Sequence, residues 1–101
     1  MNASRLESIL NKFPTLTLLV LGDFFLDRYW DIDASLAETS LETGLEVHQV
    51  TRVRCAPGAA GTVTSNLRSL GVGVIALGVI GIDGEGFELK RALADTGVDV
   101  S

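Results

Sequence analysis

The apolar run Leu16–Leu21 (LTLLVL), closed by Gly22-Asp23, constrains this chain more than any other feature. A strand with no charge and no polar/apolar alternation fits burial on both faces, the environment of a central strand in a parallel α/β sheet. Val72–Ile80 reads as a second such strand, slightly weakened by Gly73 and Gly78, and Val98-Asp99-Val100 opens a third. Helical patterns separate them. Val63, Leu67 and Leu70 mark the buried side of a helix that stops at Gly71. Asp83 can cap another, whose Leu89 and Leu93 share a face and whose end is marked by Gly97. Ahead of the first strand, Leu6, Ile9, Leu10 and Phe13 line one face of a short helix, with Ser4 and Glu7 as its capping pair and Pro14 as its stop. The alternation predicts a parallel sheet with crossover helices.

Two stretches depart from it. Asp31–Glu46 carries five acidic residues, Gly44 and no sustained period, so it reads as an excursion over the surface. From Glu46 to Cys55 the sequence alternates, with Val47, Gln49, Thr51 and Val53 on one face and Glu46, His48, Arg52 and Arg54 on the other, interrupted by Val50. That predicts a half-exposed strand outside the main sheet. Three central strands in a chain of 101 residues, 47% of them apolar, leave a sheet edge uncovered. The expectation is the N-terminal part of a larger α/β domain.

Charge and composition remove several functions. Eight Lys and Arg against 13 Asp and Glu give a net charge of −5, the wrong sign for a nucleic-acid partner. The longest uninterrupted apolar run, Leu18–Leu21, is far short of the roughly 20 residues a membrane span requires. Met1–Glu7 lacks the basic and then apolar segments of a secretory signal, so a cytoplasmic location is expected. A single cysteine, Cys55, and a single histidine, His48, support neither a metal site nor a catalytic triad. Gly71-x-Gly73-x-x-Ala76 spells a dinucleotide fingerprint, but these glycines close a helix and precede a strand, the reverse of the order that motif needs. No G-x-x-x-x-G-K-[ST] loop occurs.

Two segments carry chemistry. In GDFFLDRYW (Gly22–Trp30), Asp23 and Asp27 follow the carboxyl end of a buried strand, where α/β sheets hold ligands. A carboxylate there can accept two hydrogen bonds from neighbouring hydroxyls of a sugar; equally, the two residues could cap turns or pair with Arg28. Phe24, Phe25, Tyr29 and Trp30 read as core, or one ring as a pocket wall. Pro57–Thr62 (PGAAGT) is a small-residue turn into a helix N-terminus, suited either to close approach of a ligand or to helix-on-sheet packing.

Together VLGDFFLDRYWDID (Val20–Asp33), LETGL (Leu41–Leu45), PGAAGTVTSNLRSLG (Pro57–Gly71) and GVIGIDGEG (Gly78–Gly86) resemble the PfkB or ribokinase-like carbohydrate kinases, especially the heptose-kinase-like branch. Thr64, Gly71 and Gly81 fall on positions of that family's N-terminal signature. The resemblance spans nearly the whole chain. It implies a three-layer α/β/α parallel sheet with a small β lid at about residues 34–54, of which residues 1–101 form the N-terminal part. It makes Asp27 the sugar-hydroxyl-binding aspartate, with Asp23 nearby, and puts Gly58 and Ala59 on the paired glycines that contact the sugar. Thr62 stands on the usual sugar-binding asparagine, and Asn66 matches an asparagine of the heptose branch, as a ligand contact or a packing residue. Ala59 adds a methyl group and Thr62 lacks an amide, so both depart from the pattern.

The resemblance further implies ATP and Mg2+ as cofactors of the full domain, a sugar or sugar phosphate as substrate, and a homodimer contact through the lid. The family's catalytic base is an aspartate in a G-A-G-D-type motif that does not occur here. The isolated chain is therefore expected to be inactive in phosphoryl transfer. Three other outcomes stay open: a non-catalytic sugar-binding fragment, a degenerate remnant, and a dinucleotide module built on Gly71–Ala76.

Overall fold

The computed structural model describes residues 1–101. Helix α1 (Ala3–Leu10) begins at Asn2, whose side chain accepts the Arg5 N–H at 2.8 Å. The expected Ser4–Glu7 cap is not used, because Ser4 is already inside the helix and Asn2 satisfies its open donors. The helix stops at Leu10, and Phe13 and Pro14 lie in a separate 3-10 turn, Phe13–Thr15.

Strand β1 (Thr17–Leu21) pairs in parallel with β4 (Gly73–Leu77), from Thr17 opposite Gly73 to Leu21 opposite Leu77. The expected third strand is one parallel bridge: the Asp99 N–H donates to Val74 O and the Ala76 N–H donates to Asp99 O, both at 2.9 Å. Helix α2 (Ala60–Ser69) packs on β4, β1 and the ribbon. Helix α3 (Gly84–Asp95) supplies Leu89 and Leu93 to a core completed by Phe24, Val74 and Val98. Asp83 caps α3 by accepting the Gly86 N–H at 2.8 Å, and Gly97, at φ +86°, follows its end, both as expected.

Two burial expectations fail. The sequence predicts β1 covered on both faces, yet Leu19 and Leu21 are 59% and 73% exposed together with their partners Ile75 and Leu77, since α2 and α3 both pack on the other face, that of Val20, Val74 and Ala76. The buried side of α2 is Gly61 and Thr64 with half-buried Leu67, whereas Val63 and Leu70 face outward. Small residues win because the helix sits close to the ribbon: a Cβ on Gly61 would lie 2.5 Å from Pro57 Cβ. Gly71, at φ +88°, ends α2 and leads into β4, so the Gly71–Ala76 string forms no strand-to-helix phosphate turn and the dinucleotide alternative falls.

The acidic excursion is also different from expectation. Residues 31–39 are the outer part of β2 (Phe24–Thr39), which pairs antiparallel with β3 (Glu46–Ala59) as a two-stranded ribbon separate from the parallel sheet. The exposed alternating strand expected at Glu46–Cys55 is thus the outer part of β3. The missing period in β2 has a physical source. Between Asp33 (opposite Gln49) and Glu38 (opposite Val47) the register shifts, and Asp33 Oδ1 there accepts the Ser35 N–H at 2.9 Å and the Ser35 hydroxyl at 2.6 Å. A second shift between Asp31 and Ile32 leaves Thr51 unpaired and accounts for the interruption at Val50. The residues expected to form a lid, about 34–54, are the distal portion of a ribbon whose base starts at residue 24.

Candidate functional site

The base of the ribbon is where β1, β2, β3 and α2 converge. Asp23, exposed, occupies the turn from β1 into β2, and its carbonyl accepts the Ala60 N–H at 2.9 Å, tying the end of β1 to the first residue of α2. Asp27 sits four residues further along, opposite Ala56 and half-buried. Its carboxylate lies directly over buried Gly58: a Cβ there would come within 2.6 Å of Asp27 Cγ. Only glycine leaves that space.

Ala59 then turns the chain into α2 at φ 53°, ψ −118°, a region that glycine enters freely and that costs an L-residue about 1–3 kcal/mol. The helix has no side-chain cap. Its first-turn amides have no acceptor within the helix, and only that of Ala60 is taken up by Asp23. Partial positive charge at this end favours an oxygen-rich ligand.

The structure therefore brings Asp27 and Gly58 into contact and sets Asp23 and Ala59 beside them. Thr62 and Asn66 are exposed one turn apart on α2, and neither side chain bonds to Asp27. No hydrogen bond within the chain occupies the side chains of Asp23, Asp27, Thr62 or Asn66, so all four keep their polar atoms for other partners.

Sequence reasoning missed the rest of the Asp27 face of the ribbon. Arg54 makes a fork to Asp31, Nε to Oδ2 at 3.0 Å and Nη2 to Oδ1 at 2.9 Å, and its guanidinium lies 5.2 Å from the centre of the Tyr29 ring. The Arg54 hydrogen bond holds the Asp31 carboxyl below its ordinary range. The register Tyr29–Arg54 and Asp31–Arg52 is an opposite-charge and aromatic ladder that a hairpin assignment would have made visible. On the opposite face, Arg28 approaches Glu85 and Glu88 of α3, and Cys55, a half-buried free thiol, lies across from it in register.

For a metal or nucleotide the residues offer little. No group of three or more His, Cys, Asp and Glu side chains could hold a metal ion, and the one glycine string of nucleotide type runs from helix to strand. These residues do not fit an ATP–Mg2+ site, and no catalytic step through that pair follows from this chain. No helix is long and apolar enough to cross a membrane.

No family model matches the chain. It is 40% identical over 89 residues to the bifunctional protein HldE of Nitrosococcus oceani, covering 88% of this chain and 18% of that protein. The HldE of a Marinomonas species is 39% identical over 92 residues, covering 91% of this chain and 19% of the relative, and that of Geotalea uraniireducens is 35% identical over 102 residues, covering 100% and 20%. The chain thus spans about a fifth of the length of the curated relatives it matches. Among solved structures, a "putative ribokinase from Agrobacterium tumefaciens" superposes with a TM-score of 0.60 at 17% identity over 84% of this chain and 26% of that one, a likeness of fold.

Proposed function

This chain is a relative of the N-terminal portion of the ribokinase-like carbohydrate kinases, in their heptose-kinase branch, and we propose that it supplies the sugar-binding part of an enzyme that phosphorylates a sugar hydroxyl with ATP. The observation that carries this reading is the Asp27 carboxylate held over Gly58, unbonded within the chain, beside the uncapped start of α2. Two neighbouring hydroxyls can donate to the two carboxylate oxygens while a further sugar oxygen meets the first-turn amides of α2. Asp27 orients the sugar, the Gly58–Thr62 turn holds its far side, and Asp23, Thr62 and Asn66 offer it further polar contacts. The distal ribbon acts as a lid that excludes water from the transfer, and in a homodimer it forms the contact.

The catalytic base, ATP and Mg2+ belong to the rest of the kinase domain, which would act in the cytoplasm. The 101-residue chain by itself binds sugar and forms no ADP. The test is calorimetric titration of the chain with hexoses, heptoses and their phosphates. An Asp27→Asn variant, which removes a charged acceptor, should weaken binding about 10–100-fold, from roughly 1.5–3 kcal/mol for a hydrogen bond to a charged group. Equal affinity in the two chains would sink the assignment of Asp27, and sugar-dependent ADP formation by the isolated chain would sink the division of labour.

A further inference from the structure

The ribbon is long for something held at one end. Its strands, 16 and 14 residues, form their own two-stranded sheet in a molecule measuring 63 × 37 × 19 Å, and a lone two-stranded ribbon does not fix its own direction against a domain. Three β2 side chains on one face attach it to the body. Phe24 is buried in the core, Leu26 packs against that core, and Arg28 reaches α3.

Arg28 places Nη1 3.6 Å from Glu85 Oε1 and Nη2 3.4 Å from Glu88 Oε2. The two glutamates are three residues apart on one side of α3, where their like charges repel unless a cation lies between them. Beyond this contact the ribbon parts from the helix. Arg28, Trp30, Val50, Val53, Cys55 and Glu88 line an open cleft of about 470 Å³ there. Arg28 is thus the last tie before the ribbon swings free.

Asp27 is the residue immediately before it, directed by strand alternation to the other face. We infer that Arg28 is a positioning residue: its fork onto Glu85 and Glu88 fixes the angle of the ribbon on α3, and so fixes where the Asp27 carboxylate stands relative to the start of α2. The ligand role of Asp27 in this statement rests on the function proposed above; the latch itself does not. Each exposed pair is individually weak, so the latch biases an equilibrium and does not lock it. Its loss should raise the undocked population about fivefold.

The test separates the latch from the sugar. Nitroxide labels on Thr51→Cys and Lys90→Cys in a Cys55→Ser full chain report the ribbon-to-α3 distance by double electron–electron resonance. The parent should give one narrow distance distribution. Arg28→Glu should add a longer, broader population, and Arg28→Glu with Glu85→Arg and Glu88→Arg should restore the narrow one, which loss of Arg28 packing alone would not predict. Arg28→Lys, with one compact charge in place of the fork, should fall between. A hexose or heptose that binds the parent should bind Arg28→Glu more weakly, in proportion to the docked fraction lost, and recover in the charge-swapped chain. A distance distribution unchanged in Arg28→Glu overturns the latch, and unchanged sugar affinity in a chain whose distances have shifted overturns its positioning of Asp27. Failure of every sugar to bind the parent, with the distances behaving as stated, rejects the sugar reading and leaves the latch standing.

Discussion

Replacing Ala59 with glycine should make this protein more stable, although glycine ordinarily costs stability. Ala59 is the one non-glycine residue with a positive φ, and its ψ of −118° takes it outside the left-handed helical well that other side chains tolerate. The chain cannot relax there, because it is pinned on both sides. Gly58 is pressed under the Asp27 carboxylate, Gly61 is pressed against Pro57, and the Ala60 N–H is bonded to Asp23 O at 2.9 Å. The strain is worth about 1–3 kcal/mol. Against it, glycine widens the unfolded ensemble by about 0.4–1 kcal/mol. The methyl group removed is exposed and gives up little burial. The net expectation is a gain of about 1 kcal/mol, equivalent to a rise of about 4–8 °C in Tm for a domain this size. Thermal unfolding followed by far-ultraviolet circular dichroism, with parallel urea titrations, measures it. A loss of about 0.5–1 kcal/mol, the ordinary cost of glycine for alanine, would refute the argument from strain.

Gly58→Ala should do the reverse: its Cβ has no room beside Asp27, so the carboxylate or β3 must move, costing about 1–3 kcal/mol in urea unfolding and weakening any sugar that Asp27 holds. Thr64 is fully buried and its hydroxyl oxygen has no partner, so Thr64→Val should stabilise the fold by about 1 kcal/mol, read as a higher urea midpoint with the slope unchanged; a loss of similar size would mean the hydroxyl is bonded after all. The Asp31 carboxyl is depressed by its Arg54 hydrogen bond, so its contribution is whole above the ordinary carboxylate pKa of about 3.9 and is lost as pH falls through the lower folded value. Amide exchange at the Tyr29–Asp31 and Arg52–Arg54 rungs should accelerate in that acid range, and Asp31→Asn should abolish the change.

The parallel sheet and the α3 cap were legible because local signals and tertiary outcome agree there. The β1 run states the strand, though not which of its faces is covered, and the Asp83-to-Leu93 pattern states the helix and its partner face at once. The ribbon was half legible. Bulges at Thr51 and between Asp33 and Glu38 break the period of two, so acidic, irregular residues 31–39 resembled a loop when their partners on β3 were not known. On α2 the usual rule that large apolar residues are the buried ones misleads, since close approach to Pro57 selects Gly61, and the face it sets buries Thr64 and leaves Val63 outward. At the candidate site, Asp27 and Gly58 were legible as separate motifs. Their contact is a diagonal cross-strand relation that exists only once the register of the ribbon is fixed.

That register also bears on how the chain reaches its fold. Parallel pairing of β1 with β4 requires Leu21 to find Leu77 across everything between them, a long closure for a small protein. Antiparallel pairing of β2 with β3 can start at Thr39 opposite Glu46, next to the turn, and zip to Phe24 opposite Ala59, the kind of local hairpin that forms in about 1–10 μs. Once it is zipped, the flexible path from β1 to β4 shrinks from residues 22–72 to residues 22–24 and 59–72, about a third of the length. The closure entropy falls by about 1 kcal/mol. Mutations that delay the hairpin should therefore slow the assembly of a sheet to which it contributes no strand, and refolding rates would carry the signature of the ribbon even where equilibrium stability does not.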